Sequence, residues 1–245
     1  MKINTLALST KNITLTVVFA SFYTVFSSWN LFPLVGGQGS FIQAGVVMAP
    51  LVGIILGPWL GIFSIAIGGA IGALMSQTGP FGLFSFVPHV AAALCAGLLC
   101  NNKRWFCSVL YLILLLVFAF YPVVGPAWLW PPFLWLHVAG LVFVFSPLQS
   151  RVDEFLRENG DAFKLAFGVG ITVFIATLFG HVVGSLMFEV FYWPSFISEV
   201  SAWKADWQLI MWLYPVERLL IAVVSTFIGA GLLKALRIYG FKIGG

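Results

Sequence analysis

The chain has 245 residues, of which 61% are hydrophobic and only 8% charged, with a mean hydropathy of +1.04. A typical soluble domain carries about 25% charged residues, so this composition excludes an ordinary water-soluble fold and implies a polytopic chain packed in lipid. The net charge of +4 sits mostly at predicted helix ends and does not imply nucleic-acid binding.

The first apolar run, residues 13–34, is longer than the core of a signal peptide and lacks a clear cleavage site. It reads as a retained first helix. Thr16, Ala20, Thr24 and Ser28 recur every fourth residue along it. Small residues at that spacing share a helix face and let another backbone come close. The stripe fits either tight packing within the chain or a docking face for another membrane subunit. An uncharged glycine-rich loop (33–40, PLVGGQGS) follows.

Residues 43–98 contain no Asp, Glu, Lys or Arg. Within them, predicted helices 2 (41–56) and 3 (59–76) meet at Gly57-Pro58-Trp59, a tight turn whose proline opens the next helix. Gly53, Gly57 and Gly61 follow at intervals of four, and Gly68 and Gly72 repeat the spacing. The pattern describes a membrane hairpin with intimate helix contact.

Predicted helix 4 (86–100) ends at Asn101-Asn102-Lys103-Arg104, and helix 5 (105–121) is plain and Leu-rich. The segment 122–132 (PVVGPAWLWPP) is too interrupted by proline for a regular helix. Helix 6 (133–148) leads into the one strongly charged stretch, 150–164. Helix 7 (165–191), a polar segment (192–207) and helix 8 (208–236) complete the chain. If residues 105–148 form one broken excursion, the count falls from eight to six or seven.

Orientation follows from charge. With the N-terminus inside, Lys2, Lys11, Lys103, Arg104, Arg151, Arg157, Lys164, Lys234, Arg237 and Lys242 all fall on the inner side. That is ten of the twelve basic residues, and such a bias predicts cytoplasmic termini. The expected fold is therefore an all-α integral membrane protein of the cell membrane. It is a single transmembrane domain over 1–245, a bundle of about eight (six to eight) spans.

Ionisable groups at membrane depth are costly and mark function by default. Glu217 and Arg218 lie within predicted helix 8, beside Pro215. Neighbours on a helix point about 100° apart, which argues against a simple pair between them. Each is read as a clamp between helices or as a cavity-facing group. His89, His137, His181 and Glu189 share a bias toward the outer half of their helices, where they and Arg218 are candidates for substrate binding. Trp29, Trp128, Trp130, Trp193, Trp203, Trp207, Trp212 and Tyr214 fall in or near the outer side, as interface anchors or as stacking partners for a flat ring.

Enzymatic chemistry finds little support. There is no GxxxxGK[ST] phosphate loop, no HExxH and no GxSxG. Asp153, Asp161 and Asp206 are predicted in loops. Cys95, Cys100 and Cys107 lack metal-ligand spacing and read as small apolar fillers. No metal or cofactor is expected.

The hairpin PLVGIILGPWLGIFSIAIGGAIGAL, with its Gly57-Pro58-x-x-Gly61 turn, resembles the substrate-binding S components of energy-coupling factor (ECF) transporters. The last span, YPVERLLIAVVSTFIGAGLLKAL, is similar to theirs in its early proline and later small residues. The resemblance covers residues 15–98 and 212–236. It implies capture of a vitamin or similar micronutrient from outside, for delivery with a transmembrane T subunit and two cytoplasmic ATPases. It further implies that Thr16, Ala20 and Thr24, with the glycine stripe Gly53, Gly57 and Gly61, belong to small-residue faces that transmit movement from the partner subunits. The loop 36–40 would cover the ligand. The chain is longer than is usual in that family, with the extra length between predicted helices 4 and 7. Two other functions remain open from the residues alone. One is a self-sufficient ion-coupled carrier, with Glu189 or Glu217 as proton site. The other is an accessory membrane protein without a substrate.

Overall fold

The computed structural model describes residues 10–35, 39–76, 80–157, 161–238 and 240. Lys2, Lys242 and loop residues 36–38 lie outside the described residues, as do 77–79. The chain begins with helix α1, Thr10–Ser27, followed by strands β1, Asn30–Pro33, and β2, Phe41–Gln43. These strands pair antiparallel, with Asn30 opposite Gln43, Phe32 opposite Ile42 and Pro33 opposite Phe41. The first predicted helix therefore ends early, and the second starts late. Apolar runs of strand length cannot be told from helix by periodicity alone. The fold is mostly helical rather than wholly so.

Helix α2, Gly45–Ser76, is two helices joined at Gly57, whose φ of 76° and ψ of 178° are non-helical. The halves fold back on each other, since a Cβ on Gly61 would lie 3.1 Å from the Cα of Gly53. This is the hairpin read from the sequence. The first half, 45–56, is buried on every side. The second half turns Trp59, Phe63, Ile67, Ile71 and Leu74 outward, a stripe of large apolar residues suited to lipid. Gly57 occupies a backbone region open essentially to glycine alone. Gly57→Ala is expected to cost about 1–3 kcal/mol, measurable as a lower thermal midpoint in detergent.

Helices α3, Val87–Cys100, and α4, Arg104–Ala119, follow the sequence reading closely. The proline-rich segment forms the short helix α5, Pro126–Leu129, and a 3-10 turn, Pro131–Leu134. Next come α6, Trp135–Phe145, and α7, Leu148–Arg157. Around Ser146-Pro147 the chain bends by 74° between Pro131–Phe145 and Leu148–Leu156. The charged stretch thus begins as a helix, with Asp153 inside it. Helix α8, Ala162–Tyr192, is capped by the carboxylate of Asp161, which accepts from the backbone N–H groups of Phe163 and Lys164. Helix α9, Val200–Ile238, runs unbroken for 39 residues. It absorbs the end of the segment expected as a polar loop, Asp206 included. At 1.5 Å per residue it is about 58 Å long, well beyond the ~30 Å of a bilayer core.

By length and composition, four helical stretches among the described residues suffice to cross a membrane, or five if the bent pair is one span. One of the four is the α2 hairpin. Helix α4, at 16 residues, is apolar but shorter.

Small residues set the spacing of the bundle. The carbonyl of Ala93 on α3 occupies the space where a Gly53 side chain would go. Gly97 packs on the backbone of Gly57 and Pro58 in the same way. Between α1 and the second half of α2, Ser64 Oγ donates to the Thr16 carbonyl at 3.0 Å and Thr24 Oγ1 to the Gly68 carbonyl at 2.9 Å. The backbone of Ala20 lies directly over Gly68.

Candidate ligand-binding cavity

Strands β1 and β2 roof a cavity whose walls are the start of α2, the first turns of α3, the second half of α8 and the first half of α9. Its internal volume is about 110 Å³, below the range of about 300–1,000 Å³ usual for small-molecule sites, and its mouth is open. The lining is mainly apolar, with a few polar groups converging from different elements.

Helical periodicity explains which side chains arrive there. On α3 the wall uses Pro88, His89 and Ala92; on α8 it uses Thr177, His181, Gly184, Ser185 and Phe188. These spacings of three and four residues define one face of each helix. Gly180 brings the two faces together, because a Cβ there would lie 2.7 Å from the Pro88 carbonyl oxygen. On α9, Trp207, Ile210, Leu213, Glu217 and Arg218 complete the lining.

Of the residues singled out from the sequence, His89, His181 and Arg218 line this cavity. His137 stands one layer behind, fully buried on α6, with Nε2 3.0 Å from His181 Nδ1. Glu189 does not line it. Eight residues beyond His181, it is turned about 80° away at 3.6 residues per turn, and its buried carboxylate oxygens have no hydrogen-bond partner among the described residues.

Glu217 and Arg218 do pair, with Arg218 Nη2 3.3 Å from Glu217 Oε2. The expected divergence describes Cα–Cβ directions, whereas the arginine side chain is long enough to fold back. Because both residues sit on α9, the pair is not a clamp between helices. Arg218 is only 4% exposed, and its Nε has no partner among the described residues.

Aromatic rings close the inner end. His137, His181 and Tyr214 stack with centroids 4.9–5.2 Å apart and planes within 28°. Tyr214 Oη donates to the Phe133 carbonyl at 3.0 Å. Trp203 and Trp207 are not interface anchors: both are fully buried, and Trp207 Nε1 donates to the Val124 carbonyl at 2.8 Å. Trp29, Trp128 and Trp212 are exposed, as lipid or interface contacts require.

Sequence reasoning missed Gln43, Thr177 and Ser185, which line the cavity, and Tyr23, whose buried hydroxyl is hydrogen-bonded to His89 Nδ1. For Thr177 and Ser185 the signal was present, since both share the His181 face at four-residue spacing. Gln43 and Tyr23 left none, because strand β2 and the α1–α3 approach are tertiary outcomes.

The small-residue positions expected at a partner interface lie within the chain's own contacts. Thr16, Ala20 and Thr24 face the second half of α2, Gly53 and Gly57 form the α2–α3 crossing, and Gly61 packs on Gly53 within the α2 hairpin. The flanks of the loop expected to cover the ligand, Leu34, Val35 and Phe41, line the cavity. Among the described residues no cluster of three metal-ligating side chains occurs.

Comparison with known proteins adds the family. The model of the ECF-type riboflavin transporter, S component, matches residues 7–140, more than half of the chain. An uncharacterized protein of Methanocaldococcus jannaschii is 25% identical over 208 residues, which cover 84% of this chain and 65% of that relative's length. No solved structure matches. The matched stretch holds α1, the strand pair, the α2 hairpin and α3, while α8 and α9 lie beyond it. With the roof, the hairpin and the first cavity histidine all inside that stretch, the chain belongs to the S components of ECF-type riboflavin transporters, multi-pass membrane transport proteins that are not enzymes.

Proposed function

We propose that this chain captures riboflavin, or a flat heteroaromatic micronutrient of the same kind, in the cavity beneath the β1–β2 roof. The family match supports the class of ligand, and the meeting of aromatic and polar groups beneath the roof supports the place. His89, His181 and Arg218 supply hydrogen bonds, His137 backs His181, and Trp207 and Phe188 supply ring faces for stacking worth about 0.5–1.5 kcal/mol each.

Delivery then falls to a transmembrane T subunit and two cytoplasmic ATPases, since the sequence has no phosphate loop of its own. The cavity opens outward and both termini are cytoplasmic. In support, Arg104 and Arg237 gather about α7, where Arg104 Nη1 donates to Ser150 Oγ at 2.8 Å and Arg237 to the Leu156 carbonyl. Arg104 opens α4 just past the end of α3, and Arg237 lies in the last turn of α9, at the ends of α3 and α9 away from the cavity. The eight-span count belongs to the same reading. Crossings by α1, α4 and each half of α2 would add to those judged long enough.

Purified protein is expected to quench the fluorescence of added riboflavin with one-to-one stoichiometry. Absence of binding up to roughly 1 mM, a free energy weaker than about 4 kcal/mol, overturns the ligand assignment.

A further inference from the structure

The two histidines facing the cavity share a construction. His89 on α3 has Nδ1 bonded to the hydroxyl of Tyr23, fully buried on α1. His181 on α8 has Nδ1 bonded to Nε2 of His137, fully buried on α6. Each cavity histidine thus spends one ring nitrogen on a buried ring from a neighbouring helix. Nε2 is left for the cavity.

Proton accounting fixes what Nε2 of His89 carries. A neutral imidazole has one N–H and one bare nitrogen. Among the described residues the Tyr23 hydroxyl has His89 Nδ1 as its only hydrogen-bond partner. If Tyr23 accepted there, its own buried O–H would have no acceptor, which is the expensive outcome. Tyr23 therefore donates, Nδ1 of His89 is bare, and Nε2 holds the proton. His137 Nδ1 makes no well-formed hydrogen bond among the described residues, but the Phe133 backbone lies close enough to take a proton from that ring. The His137–His181 contact therefore holds the ring of His181 in place without fixing its tautomer.

We infer that Tyr23 is a positioning residue that makes His89 a hydrogen-bond donor toward the cavity. Arg218, which can only donate, adds a second donor from α9. The occupant turns acceptors toward this wall, namely carbonyl oxygens and pyridine-type ring nitrogens of a heteroaromatic. This specificity rests on the cavity being the capture site; the proton placement does not.

The chain has three histidines, so ring-nitrogen NMR of histidine-labelled protein in detergent, without ligand, resolves them individually. His89 is expected to show a protonated Nε2 and a bare Nδ1. Tyr23→Phe is expected to introduce the second tautomer at His89 alone, leaving the other two histidines unchanged. That change should weaken riboflavin binding by up to about tenfold, the value of one hydrogen bond, with the thermal midpoint followed in parallel. A protonated Nδ1 on His89 of the unmodified protein overturns the inference without any variant. The expected tautomer with no riboflavin binding upholds the proton placement and overturns the ligand assignment instead.

Discussion

Arg218→Met is expected to abolish riboflavin capture and to cost about 3–5 kcal/mol of stability, the usual cost of stranding one member of a buried ion pair. Glu217 would be left as a carboxylate only 7% exposed, with its 3.3 Å partner gone. The double variant Glu217→Gln, Arg218→Met removes both charges, and such replacements are often neutral or stabilising. Its thermal midpoint should return close to that of the unmodified protein. Affinity then separates the roles of the pair. If Arg218 bonds the ligand, the double variant is stable but does not bind. If the pair is structural only, stability and binding return together, and Arg218 leaves the list of ligand contacts.

Gly53→Leu is expected to prevent folding, and Gly53→Ala to cost about 1–3 kcal/mol through overpacking. The space beside Gly53 is filled by main chain, the Ala93 carbonyl on one side and Gly61 on the other. A flexible neighbour would give way, but a carbonyl in a helix moves only with its helix. Gly231→Ala on α9 is the control. Nothing lies within 4 Å of its Cβ position, and alanine gains up to about 1 kcal/mol in helix propensity. Recovery of monodisperse protein and thermal midpoints in one detergent compare all three. A stable, well-folded Gly53→Leu would mean that α2 and α3 do not cross by backbone contact.

What could be read in advance divides along physical lines. The start of α3, the turn at Gly57 and the length of α8 follow from composition, since long apolar runs and a Gly-Pro break have few alternative structures. Strands β1 and β2 were hidden because Asn30–Pro33 and Phe41–Gln43 are short, mostly apolar and continuous with the apolar runs of α1 and α2. The burial of Trp203 and Trp207 was hidden because tryptophan near a membrane surface packs inward or outward with the same sequence signature. At the site, the faces bearing His89 and His181 were accessible to helical periodicity. The pinning of each ring by Tyr23 and His137 depends on contacts 66 and 44 residues apart in sequence, which no local pattern encodes.

The roof carries a kinetic consequence. Two strands of four and three residues are marginal in isolation, whereas the walls beneath belong to long, mutually packed helices. Loosening the strand pair would expose the chamber without rearranging the side chains of α3, α8 and α9 that line its walls. If the chamber is the capture site, residence time and equilibrium affinity would be set largely by different parts of the molecule. Substitutions in Asn30–Pro33 or Phe41–Gln43 that face away from the chamber should accelerate entry and exit together, leaving their ratio nearly constant.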